Sequence, residues 1–292
     1  MGSAPTPVST PNQLKTVIGR GSLSKIPGSA PGPRHFQAKI QVPLRGRGAA
    51  YSSSVKPKVG VLLRACGMQE TVVTSSGSES VTYKPRSSGI ESMSFYYNWD
   101  GLLYKLLGAQ ASVNFIFKTG AIAMADFDIQ GLWSDPADVG FVNPTGEPTA
   151  LVFPTFLNGA FQIGIENYAA PFQAINLNLN NTLTPSEDPS HPDGRSAINL
   201  VDRDPNGSFD PDAVLVATHD WYGKWKAGTI FDMSFSLIGP GDYNTITVSC
   251  PQVQAQNITA ADRGGLGQFT VPFQVVSDSA GGDDELVLSW VK

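Results

Sequence analysis

From about residue 37 onward, apolar and polar residues alternate with a period of two. In the stretch Ala111–Phe117, Val113, Phe115 and Phe117 share one face, with Ser112 and Asn114 on the other. Val271, Phe273 and Val275 alternate in the same way, and so do Leu286, Leu288 and Trp290. Gly, Pro and Asn-Gly punctuate these stretches, which together predict a mainly β, antiparallel fold. Two short segments read as helices. Trp99–Leu107 does so through Leu102, Leu103, Leu106 and Leu107, although the same residues fit a buried strand; the other is Pro211–Thr218.

The alternation is missing from residues 1–36. This segment is rich in Pro, Ser and Gly, and its only short apolar piece runs from Leu14 to Ile18. Such a composition cannot build a core, so the segment reads as an extended N-terminal arm that takes order from what it lies on. Beyond it, the chain resembles itself. Lys118–Gly131 matches Lys226–Gly239 at a constant offset of 108, and Ala125, Phe127 and Ile129 correspond to Met233, Phe235 and Leu237. Gly89–Phe95 resembles Gly194–Leu200, and Asp100-Gly101 falls opposite Asn206-Gly207. Two copies of one β domain, 37–147 and 148–292, account for this pattern.

Charge is divided as unevenly as pattern. Residues 1–69 carry ten Lys or Arg and no acid, the first being Glu70. The other ten bases and all 25 acids lie in the remaining 223 residues, which therefore carry −15. A basic head and an acidic body attract each other between copies, so the charge pattern points to self-assembly. The rival reading, a nucleic-acid arm, calls for interleaved aromatics, and the head has only Phe36 and Tyr51.

The motifs of chemistry are sparse. Cys66 and Cys250 each end an apolar stretch beside a turn residue, which reads as two buried free thiols. Neither has metal-type spacing to His35, His191 or His219. Phosphate-loop, nucleophile-elbow and zinc-protease motifs are absent, and His219-Asp220 lacks a nucleophile, so no catalysis, cofactor or metal is expected. Asp202–Asp212 begins like a calcium loop but has Ala213 where the closing acid belongs, so an Asp/Asn/Gly-rich turn between strands explains it better. No apolar run approaches the ~20 residues that cross a bilayer, and MGSAPTPVSTPNQ has no signal-peptide core.

Several stretches resemble the major tail tube proteins of long-tailed (siphovirus-type) bacteriophages. They are Ala38–Leu44, Leu62-Leu63-Arg64-Ala65-Cys66-Gly67-Met68, Val81–Pro85, Ser92–Tyr97, Asp100-Gly101, Gly108-Ala109, Lys118–Gly120 and Phe127–Gly131. Asp262–Gly265, Phe269–Phe273 and Asp283–Leu286 close the match. The resemblance implies tandem tail-tube β-sandwich domains that contribute strands to a ring-shaped barrel. Stacked rings would form a hollow virion tail tube, assembled in the host cytoplasm. DNA would pass through it without specific binding, and tape measure, tail terminator and distal tail proteins would be its partners. Two tube domains per chain imply rings of three copies with pseudo-sixfold symmetry. Competing classes are a capsid decoration or receptor-binding β-sandwich and a carbohydrate-active enzyme, the latter calling for paired carboxylates in a cleft.

Two groups of residues are expected to do the work. Asp126 and Asp128, flanking Phe127, and Asp232 on the matching strand are candidate lumen acids that repel DNA. Leu14, Lys15, Val17, Ile18, Arg20, Lys25 and Arg34 are the candidate inter-subunit arm.

Overall fold

A computed structural model of the chain describes residues 6–9, 14–15, 28–140, 161–163 and 171–292. The first half contributes β1 (Thr6–Ser9), β2 (Leu14–Lys15), β3 (Ser29–Ala30), β4 (Arg34–Pro43), α1 (Gly60–Ala65), β5 (Met68–Val73) and β6 (Ser80–Pro85). It continues with β7 (Met93–Trp99), β8 (Leu102–Lys118), β9 (Met124–Leu132) and β10 (Ala137–Asp138). The second half contributes β11 (Phe161–Ile163), β12 (Phe172–Asn178), β13 (Asn181–Glu187), β14 (Arg195–Arg203), β15 (Asn206–Pro211) and α2 (Trp221–Lys226). It closes with β16 (Ile230–Ile238), β17 (Thr245–Ala255), β18 (Thr259–Arg263), β19 (Leu266–Val276) and β20 (Val287–Val291). The fold is mainly β, as the alternation predicts.

One open sheet holds most strands, in the order β1-β4-β9-β8-β12-β15-β19-β17-β20-β6-β5. Both halves contribute to it: β8 pairs with β12, and β20 pairs with β6. They also share one core, in which the Phe117 and Phe235 rings meet at 4.9 Å, edge to face. β9 buries Ala125, Phe127 and Ile129 while β16 buries Met233, Phe235 and Leu237, and each strand pairs antiparallel with one that precedes it. Removing one such ring, as in Phe127→Ala, costs about 3–5 kcal/mol.

Elsewhere the two matched segments differ. Lys118 ends a strand, whereas Lys226 ends α2. Asp100 and Gly101 both have positive φ (46° and 85°) and form the tight turn between β7 and β8. Asn206-Gly207 is no turn but lies within β15, where the Phe273 ring packs against the Gly207 backbone and leaves no room for a Cβ.

Neither predicted helix forms. Trp99–Leu107 is the β7–β8 hairpin, its leucines taken up by cross-strand pairs such as Trp99↔Leu102 and Phe95↔Leu106. Pro211–Thr218 ends β15 and then turns. Among the described residues the helices are six residues each, too short to show a helical period.

Candidate functional site

The alternation that buries one face of β4, β9, β8, β12, β15 and β19 lays out the other face in rows. One cross-strand row reads Gln41, Asp126, Asn114, Asn178, Asn206, Gln274 and, on β17, Gln254. Beside it run Lys39, Asp128 and Ser112; the row on the other side is mixed, reading Pro43, Met124, Ile116, Asn176, Ser208 and Pro272. The central row is therefore mostly amide, and Asp126 is the one acid in it. Over Lys39, Ser112, Asp126, Asp128, Asn178 and Asn181 the face hollows into a groove of about 710 Å³.

Asp126 and Asp128, expected to line a lumen, stand side by side on this face. Gln37 Nε2 donates to Asp128 at 2.8 Å, and Lys39 Nζ lies 3.5 Å away. Asp232 is placed apart from them. It is exposed on β16, the strand beyond β17, where Ile230 faces Gln254 at the far end of the row. The match at an offset of 108 aligns its segment with β9 without saying which sheet position β16 occupies.

Among the arm residues, Leu14 and Lys15 form β2, exposed and paired with β3. Arg34 belongs to β4, where it ion-pairs with Asp193 at 2.8 Å and lies over the Trp133 ring. Val17, Ile18, Arg20 and Lys25 lie outside the described residues. β1 pairs with the first residues of β4, Thr6 opposite Gln37 through Ser9 opposite Arg34. Among the described residues, no strand lies along that edge of β4 from Ala38 to Pro43, nor along the outer edge of β18.

The residues weighed for chemistry are held by structural partners. Asp220 caps α2, accepting from Gly223 N at 2.8 Å, while the His219 ring packs on Trp221. Asp210 accepts the backbone N–H groups of Gln173 and Ala174, and Asp212 pairs with Arg263. Cys66 and Cys250 are free and fully buried. Burial pushes both thiols up, Cys250 to about 12, so neither forms a thiolate at neutral pH.

Residues 5–276 match the family described as Phage tail tube protein, and the chain belongs to that family. It is thus a structural protein of the phage virion tail, of a kind that assembles with itself and with other tail proteins. No curated protein matches the chain in sequence.

Proposed function

We propose that three copies of this chain close edge to edge into a ring, and that rings stack into the hollow tube through which DNA leaves the virion. The amide-rich row running unbroken across seven strands carries this reading. A passage for DNA should be polar, so that it stays wet, and poor in Lys and Arg, because each phosphate contact adds affinity by releasing counterions. The edges of β4 from Ala38 to Pro43 and of β18, unpaired among the described residues, offer backbone donors and acceptors for a neighbouring copy. The paired strands β9 and β16 support two tube units per chain, 37–147 and 148–292, and hence three chains rather than six.

The subunit acts by shape and charge and catalyses nothing. Its basic arm docks on a neighbouring copy, drawn by a body of net charge −15. Assembly takes place in the host cytoplasm, on a tape measure protein and between terminator and distal tail proteins.

Electron microscopy of the purified chain tests the reading, with hollow tubes of threefold rings expected. Six whole chains per ring would overturn the stoichiometry, and failure to form any ring or tube would overturn the function. The arm is tested by deleting residues 2–28. A cut at residue 36 would remove Phe36, which is 1% exposed and stacked on Trp133 at 4.2 Å. Tubes of full length from the shortened chain would show the arm to be dispensable.

A further inference from the structure

The strand directions give the molecule two distinct ends. β8 enters at Leu102 and leaves at Lys118; antiparallel pairing brings Leu132 of β9 to the first end and Phe172 of β12 to the second. Pro211 pairs with Phe172 and Asp212 bridges to Gln268, so Leu215, Val216 and the β18–β19 turn at Leu266 also belong to the second end.

Each end exposes apolar side chains. At the first, β8 runs on past Leu132 of β9, so that among the described residues Leu102–Leu106 pair only with β7 and β10. Five residues at ~3.3 Å each carry this hairpin about 17 Å beyond the sheet. One of its faces holds Phe95, Tyr97, Trp99, Leu102, Tyr104 and Leu106. Its base is covered, Leu106 fully buried and Tyr104 edge-on to Phe36, but Trp99 at the tip is 52% exposed and Tyr96 on the other face 56%. At the second end Leu215 is 77% exposed, Val216 65% and Leu266 62%. Large apolar groups gathered at opposite ends of one molecule mark contact surfaces.

We infer that the Trp99 hairpin of one copy docks on the Leu215–Val216–Leu266 rim of a copy in the next ring, and that this contact stacks the rings head to tail. The inference rests on the tube reading above. A stack with a single direction needs a heterologous interface, two different patches that fit each other, and the topology supplies one at each end. The projecting aromatics act as the anchor and the aliphatic rim as its seat.

The test uses two full-length single variants, Trp99→Cys and Leu266→Cys, mixed and assembled under reducing conditions, then oxidised with copper–phenanthroline. Both native thiols are fully buried and do not compete. A disulfide-linked dimer is expected from the mixture and from neither variant alone. Tubes that form in the mixture without that dimer would overturn the inference and leave the tube reading standing. Wild-type chain that forms no tubes would overturn both. Tyr96→Cys with Val216→Cys serves as a second pair if the first fails to fold. Independently, Trp99→Ser and Leu266→Ser should leave rings intact while shortening tubes at least tenfold, and tubes of unchanged length from both would also overturn the contact.

Discussion

The indole N–H of Trp290 donates to the main-chain carbonyl of Arg45 at 3.0 Å, joining positions 245 residues apart. The same ring is fully buried and meets Tyr83 edge to face at 5.4 Å. One side chain near the end of the sequence thus fixes a loop and a strand from its beginning. Trp290→Phe keeps most of the packing and loses the hydrogen bond, with an expected cost of about 1 kcal/mol. Trp290→Ala also leaves a cavity and should cost about 3–5 kcal/mol. Urea unfolding of the isolated subunit checks both, and equal costs would show that the hydrogen bond, not the ring, dominates.

Tyr83 carries the linkage further, donating its hydroxyl to Glu70 at 2.7 Å, while Lys56 Nζ reaches the other carboxylate oxygen at 2.6 Å. Burial by itself would raise the Glu70 carboxyl, but the bonds from Lys56 and Tyr83 outweigh it and hold the group below its ordinary range. A carboxyl depressed in the folded state stabilises fully above its unfolded value of 4.5, and that stability is lost as pH falls through the folded value. Glu70→Gln should therefore be less stable than wild type by about 1–2 kcal/mol at pH 7, with the difference shrinking below pH 4. A difference constant with pH would show that the charge of Glu70 contributes nothing.

The core strands could be read from the sequence because each buries alternate positions against one large core, which leaves a period of two in the residues themselves. Phe127 and Phe235 are in the core and Asp126 faces away from it, as their alternation predicts. What could not be read was which strand neighbours which. Asp232 obeys the same local rule as Asp126, yet β16 sits beyond β17 at the opposite end of the row from β9, because pairing depends on contacts distant in sequence. The amide row was hidden for the same reason. Gln41, Asn114, Asn178 and Gln274 are unremarkable singly and become a surface only when seven strands bring them into register.

His35 is buried beside Arg195, whose guanidinium faces its Nδ1. Burial and then the Arg195 charge lower the imidazole from 6.5 to about 4, against a hydrogen bond with Gln130 that raises it. His35 is thus neutral in the fold at neutral pH. Between pH 6.5 and 4 the unfolded chain takes up a proton that the folded chain refuses, so stability falls over that window. The loss reaches at most about 3 kcal/mol. His35→Gln should flatten the stability profile between pH 7 and 4 while leaving Glu70 to act below it. An unchanged profile would show that His35 does not titrate in that window.

Asp126 and Asp128 lie on a face with few cations, and a passage for DNA should keep it so. Asn176 is exposed on the same face, and the Asp128 side chain is 36% exposed, so both positions accept a longer side chain without entering the core. Tubes of Asp128→Lys combined with Asn176→Lys would present new ammonium groups to the lumen. Each phosphate they contact should steepen the fall of log affinity with log salt by about 0.9. Short duplex DNA should therefore sediment with variant tubes at 50 mM salt and be released at 200 mM, while wild-type tubes retain little at either. The outside of the tube is controlled for by blocking entry with duplexes joined to a bead too wide for the channel. If the bead-linked DNA binds the variant as well as free DNA does, the two positions face outward and the amide row is not the channel wall.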